Sequence, residues 1–305
     1  MIKKDLISIK DLSVKEINEI FLLTDKLKKN KARFSKALKG KTLALIFQKP
    51  SNRTRVSFEV GMFQLGGNSL YLSPGEINLG VRESIADVSK TLSRYIDGIV
   101  LRTFEHKNCL DMAAAATVPV INGLSDFSHP CQALADLYTV REKFKSLKGC
   151  TLAYVGDGNN VCNSLMFICA KLGVNMHIGS PKGYEPDKPV IEYAIKEAKG
   201  SNASIKLFNN AYDAAKGADV IYTDVWARMG QEDETARRKE AFRDFQVNAQ
   251  LLDTAKKSAI IMHCLPAHRG EEISAQALDS PNSVVFDQAE NRMHAQKAIL
   301  IELLR

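Results

Sequence analysis

Short apolar runs alternate with amphipathic stretches almost from one end of this chain to the other, and that alternation limits the folds open to it. Candidate strands occupy 42–47, 69–72, 98–102 and 118–122, then, after a long helical stretch, 151–155, 175–178, 205–208, 220–223, 259–263 and 284–286. Between them, segments such as 84–95, 163–172 and 188–199 carry helical apolar spacing. The pattern predicts an α/β protein built as two doubly wound domains, each with a parallel sheet and helices on both faces. With 305 residues, 45% of them hydrophobic and 25% charged, the chain is too long for one ordinary core. Helical periodicity is continuous over 132–146, and Lys148-Gly149 closes that helix just before a new strand, which puts the boundary there. We expect a first domain over 1–137, a second over 138–289, and a last helix over 290–305 that can pack on either lobe.

Composition narrows the function classes. The chain opens without an apolar signal region and has no run of eighteen apolar residues, so a cytoplasmic protein is expected, with no membrane partner. Six cysteines lack C-x-x-C spacing and lie mostly in apolar runs, which reads as reduced thiols. The formal charge of +7 is spread among acids rather than gathered in a stripe with aromatics, so a small anionic substrate accounts for it better than nucleic acid.

In doubly wound sheets, ligands bind outside the carboxyl ends of the strands. The polar clusters of this chain fall at those ends. Ser51-Asn52-Arg53-Thr54-Arg55 follows the first strand, and Pro50 stops that strand from continuing. If Ser51 caps the next helix, the free N–H groups of its first turn and the helix dipole make an oxyanion the natural occupant. The plain alternative is a pair of surface arginines in exposed ion pairs. Further along, Arg102-Thr103, His129-Pro130-Cys131-Gln132, the turn from Gly156 to Asn160, Asp224-Val225-Trp226 and His263-Cys264-Leu265-Pro266 each end a strand or follow one.

Together with the segment Leu79 to Ser84, Met229-Gly230-Gln231-Glu232 and Ala289-Glu290-Asn291-Arg292, these motifs resemble the aspartate/ornithine carbamoyltransferases, and within them the ornithine enzymes. The resemblance covers nearly the whole chain. It implies transfer of a carbamoyl group from carbamoyl phosphate to the side-chain amine of L-ornithine, giving L-citrulline and phosphate, with neither cofactor nor metal. It implies that Ser51, Asn52, Arg53 and Thr54 grip the phosphate, that Arg102, His129 and Gln132 orient the carbamoyl group with Pro130 and Cys131 beside them, and that Arg292 reaches the same ligand. The last helix should therefore return to the first domain. Cys264 and Leu265 are implied to touch carbamoyl phosphate as well, Cys264 and Asp224 fall near the attacking amine, and Asn160, Arg228 and Met229 near the amino-acid end. Catalysis is expected from Arg102, His129, Cys264 and Asp224. The resemblance also implies a homotrimer with shared active sites, in which Asn78 would be lent to a neighbouring subunit.

The chemistry asks for two things. Attack on the carbamoyl carbon builds an oxyanion, for which Thr54, Arg102 and His129 are suitable donors. The amine must attack neutral, and stripping its proton at pH 7 costs about 4 to 5 kcal/mol. Cys264 is read as a positioning and proton-accepting thiol; a covalent acyl-cysteine with His263 as base is the rival, disfavoured because neighbours at a strand end point to opposite faces.

Three positions depart from the family pattern. Asn52 stands where Ser-Thr-Arg-Thr-Arg is usual, Asn78 where Gln or His is common, and Arg228 where the ornithine enzymes carry Ser before Met-Gly. Arg228 either binds the α-carboxylate, favours an ornithine acylated with an extra acid such as N-succinylornithine, or turns outward. Arg55 is expected to brace its turn through ion pairs, with Glu83 as a candidate partner. Two readings from other classes are weaker. A dehydrogenase would use Gly156-x-Gly158, but Val161 takes the third glycine position. A noncatalytic paralogue would not need Arg102, His129 and Cys264 together. Gly40-Lys41-Thr42 mimics a P-loop yet precedes a strand, and His263, Cys264 and His268 lack a second metal-ligand pair.

Overall fold

In a computed structural model of the chain, residues 4–227 and 232–305 are described. They form two compact units: one runs to Tyr138 and takes in Asn291–Arg305, and the other is Thr139–Glu290. The first holds strands β1 (Thr42–Phe47), β2 (Asn68–Leu72), β3 (Gly98–Arg102) and β4 (Val120–Leu124), in the order β2-β1-β3-β4. The second holds β5 (Thr151–Val155), β6 (Asn175–Gly179), β7 (Ile205–Phe208), β8 (Val220–Thr223) and β9 (Ile260–His263), in the order β7-β6-β5-β8-β9. Every pairing between these strands is parallel, as the alternation of strands and helices demands.

Near-continuous apolar strands are what a sheet covered on both faces requires. In the first unit Ile46, Ile99, Leu101 and Val120 pack with Met112 of the helix His106–Ala115. In the second Val155, Ile221 and Ile261 pack with Trp226 and with Phe242 of the helix Thr235–Phe242.

Each strand order contains one reversal. Chain direction switches between β1 and β3 in the first sheet and between β5 and β8 in the second. At such a point the loops leaving two adjacent strands part to opposite faces and open a crevice. Paired registers bring Phe47 beside Arg102 at the first reversal and Val155 beside Thr223 at the second. The site residues follow directly after these positions.

Two expected elements are corrected. The strand expected over 118–122 is displaced to Val120–Leu124. Pro119 has no N–H to give a ladder and serves only as acceptor for the Ile99 amide. The run 284–286 is not a strand: Ser283 makes one bridge to Ile261, the Val284 amide donates to the Ile261 carbonyl at 2.9 Å, and the chain then enters the helix Val285–Leu304. Three β-prone apolar residues were not enough to extend the sheet once the helix had begun. Among the described residues no helix is long and apolar enough to cross a membrane.

Candidate active site

The turn after β1 is built from its own side chains. Ser51 has extended backbone angles and its hydroxyl accepts the Thr54 amide at 3.2 Å, so it caps the helix Asn52–Gln64 as its sequence suggests. Thr54 is fully buried one turn in. Its hydroxyl oxygen accepts from Arg292 Nη2 at 2.6 Å and, at the edge of bonding distance, from Arg102 Nη1 at 3.5 Å. The hydroxyls of Ser51 and Thr54 are 3.0 Å apart. The Ser51 hydroxyl donates to that of Thr54, so the cap and the buried threonine hold each other in place.

Arg102 reaches this place through a defect in the ladder. Between Leu101 and Arg102 the pairing with β4 slips, from Asn122 opposite Leu101 to Leu124 opposite Arg102. Such an irregularity re-aims the side chain that follows it. Arg292 arrives from the other end of the chain, on the last helix, and Lys297 of the same helix donates to Gln64 at 2.8 Å. The last helix thus packs on the first unit, as Arg292 implied.

His129 immediately precedes the helix Pro130–Phe144, and Gln132 lies in its first turn. Burial, then the positive charges of Arg292, Arg102 and Arg53, hold His129 well below the ordinary imidazole value, so it is neutral at pH 7. A neutral ring can donate one hydrogen bond and accept another. Gln132 is buried, and its amide nitrogen donates to Asp136 at 2.8 Å. A carboxylate only accepts, which fixes the amide orientation and turns Oε1 inward, where it has no partner among the described residues. Pro130 and Cys131 are buried at the head of this helix, with the Cys131 thiol near the Asn122 carbonyl at 3.8 Å and pushed up to about 12 by burial.

At the second reversal, Asn159 caps the helix Asn160–Leu172 through Oδ1, accepting from Val161 and Cys162 at 2.8 and 3.1 Å. Its amide nitrogen donates to Asp224 at 2.8 Å, which explains an asparagine rather than an aspartate at this cap. Asp224 also receives the Cys264 thiol at 3.0 Å. Asn160, read from sequence as a ligand, is buried as the first residue of the helix, and its carbonyl accepts from Ser164.

His263 is not the base for Cys264. Its Nδ1 accepts the Leu265 amide at 2.8 Å, so the proton sits on Nε2, which donates to buried Glu272 at 3.0 Å. The ring therefore holds Leu265 in the left-handed region, at φ 58°, where a leucine needs external support. Asp224, His263 and Cys264 bring ligand-type atoms within 4.8 Å of one another. With both imidazole nitrogens engaged, that trio is a poor metal cradle. His268, Glu271 and Glu272 lie equally close, but Glu271 pairs with Lys239 at 2.7 Å and Glu272 accepts from His263 and the His268 amide.

Of the sequence-predicted residues, Ser51, Thr54, Arg102 and Arg292 meet on one hydroxyl, and Cys264 meets Asp224. Arg53 is half-buried in the turn and lies near His129, whose charge it opposes; Asn52 is exposed in the first helical position. Asn78 is exposed at the end of the short helix Pro74–Ile77, with φ 41°, and is not brought to the other groups of its own chain. Arg228 and Met229 fall outside the described residues. Arg55 differs from expectation: it pairs with Glu59 at 2.9 Å and lies over the Tyr71 ring at 3.8 Å, instead of meeting Glu83. Gly158 serves its own chain, since a Cβ there would lie 2.2 Å from the Pro186 nitrogen. Lys41 is committed to Asp97 at 2.9 Å.

Comparison with known proteins agrees with this geometry. Residues 4–142 match the family description "Aspartate/ornithine carbamoyltransferase, carbamoyl-P binding domain", and residues 148–303 match "Aspartate/ornithine carbamoyltransferase, Asp/Orn binding domain". The chain is 54% identical to the ornithine carbamoyltransferase of Thermococcus kodakarensis, over 97% of this chain and 95% of that one. It is 55% identical to the anabolic ornithine carbamoyltransferase of Pyrococcus furiosus, again over 97% and 95%. The solved structure of ornithine carbamoyltransferase from Pyrococcus furiosus superposes with a TM-score of 0.96 at 53% identity, covering 98% of this chain and 96% of that one. The chain belongs to the aspartate/ornithine carbamoyltransferase family.

Proposed function

We propose that this enzyme transfers the carbamoyl group of carbamoyl phosphate to the side-chain amine of L-ornithine, giving L-citrulline and phosphate. The observation that carries the reading is the convergence of Arg102 and Arg292, from parts of the chain 190 positions apart, on Thr54 at a Ser51-capped helix start. Two fixed cations and a row of free helix N–H groups suit a dianionic phosphate. The relatives named ornithine carbamoyltransferase, more than half identical over nearly the whole chain, support the same substrates.

In this reading Ser51, Asn52, Arg53 and Thr54 take the phosphate. The inward Oε1 of Gln132 accepts from the carbamoyl NH2, while neutral His129 and Arg102 donate to the carbamoyl oxygen as it becomes an oxyanion. The ornithine nitrogen forms the new C–N bond, the C–O bond to phosphate breaks, and the amine proton leaves toward the Asp224–Cys264 pair. Asn160, Arg228 and Met229 receive the amino-acid end, and Leu265 shapes the turn beside Cys264.

The homotrimer is supported by an apolar strip on the first unit. Val56, Val60 and Phe63 share one face of the helix Asn52–Gln64, and Leu70 lies on the adjoining edge strand β2. Phe63 is 81% and Leu70 53% exposed, more apolar surface than a monomer ordinarily leaves in water. Exposed Asn78 would complete a neighbour's phosphate site. A cytoplasmic place in arginine biosynthesis is consistent with six cysteines outside any disulfide and with the name of the anabolic relative. The test is citrulline formation from carbamoyl phosphate and ornithine without added metal. N-acetylornithine, N-succinylornithine and putrescine serve as competitors; strong turnover of one of these beside weak turnover of ornithine would replace the substrate assignment.

A further inference from the structure

Arg238 is a charged residue in a place where charge is expensive. It sits on the helix Thr235–Phe242, yet its side chain is only 8% exposed, and so is that of Asp157, its partner at 3.1 Å. The same Nη1 donates to the Trp226 carbonyl at 3.0 Å, and Nε donates to Glu234 at 2.8 Å. The guanidinium also stands over the Tyr184 ring, 5.1 Å from its centre. A buried ion pair contributes little net stability compared with a well-packed apolar side chain, and its best-attested use is to specify one geometry.

The geometry specified is that of the second strand-order reversal. Asp157 belongs to the turn leaving β5, two residues before Asn159; Trp226 belongs to the segment leaving β8, two residues after Asp224. One guanidinium therefore bonds to both loops, the same two that are joined by the Asn159–Asp224 contact at 2.8 Å and that carry Asp224 to Cys264 at 3.0 Å. Through Glu234 it also fixes where the chain re-enters after residues 228–231, while Trp226 fixes where the chain departs.

We propose that Arg238 is a positioning residue for the amine-side substrate: it sets the separation of the two loops that carry Asn159 and Asp224, and with it recognition of the amino acid but not of carbamoyl phosphate. This rests on the function proposed above. Lysine can supply a point charge to Asp157 but not the forked donors that reach the Trp226 carbonyl and Glu234 together.

The experiment compares wild type, Arg238→Met, Arg238→Lys and Asp157→Asn as full chains, with thermal melting measured for each. Arg238→Met keeps the length and apolar volume of the side chain; Asp157→Asn, nearly isosteric, covers the case in which it does not fold. Expected is a rise of about tenfold or more in KM for ornithine in Arg238→Met, with KM for carbamoyl phosphate within about twofold of wild type, and a smaller rise in Arg238→Lys and Asp157→Asn. The chain's one tryptophan is Trp226, so a shifted emission maximum in the folded variants is expected as an independent sign of the moved loop. Folded variants with an unchanged ornithine KM overturn the proposal, as does a parallel rise in both KM values that follows the loss of melting temperature. A wild type that makes no citrulline overturns the parent reading instead, and this one with it.

Discussion

Arg292 donates to the hydroxyl of Thr54 at 2.6 Å, joining the helix Val285–Leu304 to the turn capped by Ser51. The contact is buried, and it makes Thr54 the acceptor around which two guanidinium groups are arranged. Thr54→Val keeps the shape and removes the acceptor. We expect kcat to fall by about a hundredfold or more and stability to drop by about 1 to 3 kcal/mol. Thr54→Ser, which retains the hydroxyl, should lose far less of either; steady-state citrulline assays and urea unfolding of both variants decide it.

The two arginines of the turn should separate cleanly. Arg53→Ala is expected to abolish carbamoyl phosphate binding, because its charge lies near His129 within the site. Arg55 is outside that set, paired with Glu59 and stacked on Tyr71. Its replacement by alanine should cost about 1 kcal/mol of stability or less and leave binding intact. Calorimetric titration of the two proteins measures both; equal losses of affinity at equal stability would overturn the division.

His129 makes the fold acid-sensitive in a direction that can be worked out. Its folded-state pKa lies well below the unfolded value of 6.5, because burial and three arginines oppose its charge. As pH falls through 6.5 the unfolded chain binds a proton that the folded chain refuses, so the unfolded state gains. This contribution is fully present above the unfolded value and is lost progressively below it. Wild type should lose more stability than His129→Gln between pH 7.5 and pH 5.5, both about a unit from the unfolded pKa. Urea midpoints for the two proteins at each pH give the comparison, and identical pH dependence would remove the argument.

Cys264 tests the route of the proton. The His263 lone pair is spent on the Leu265 amide, so that ring is not available to the thiol, whereas the Asp224 carboxylate accepts from it. No carbamoyl adduct should accumulate on Cys264 during turnover, as judged by intact mass, and Cys264→Ser should keep measurable activity. A covalent adduct formed and consumed at the catalytic rate would establish the acyl-cysteine route.

Phe63→Glu places a charge in the apolar strip formed with Val56, Val60 and Leu70. Light scattering should report a trimer for wild type and a smaller species for the variant, with activity lost in proportion if Asn78 is shared between subunits. An unaltered mass would move the interface elsewhere.

Much of this was legible in the residues because the chemistry is local. Ser51 announces a helix cap, and the apolar runs before the polar clusters announce parallel strands whose ends bind ligands. What escaped was set by tertiary partners. Nothing in the charged stretch Thr235–Phe242 distinguishes Arg238, which is buried, from Arg237 beside it. Asn159 and Asn160 are indistinguishable as letters, and only the cap geometry shows that the first faces Asp224. The strand-end argument already set His263 apart from Cys264, but nothing in the residues showed that Glu272, nine positions on, holds the ring instead. The strand expected at 284–286 failed for a related reason: a β-prone run cannot reveal that one bridge is all its neighbour will accept.

The return of the last helix has a consequence for how the protein comes into being. Asn291–Arg305 belongs with residues near the beginning of the chain, so during synthesis from the N-terminus the unit that emerges first is completed last. Until residues 291–305 have emerged, Thr54 lacks Arg292 and Gln64 lacks Lys297. A chain that stops short of residue 291 therefore lacks the Arg292 contact with Thr54 on which the proposed phosphate site depends, even though its first sheet is complete.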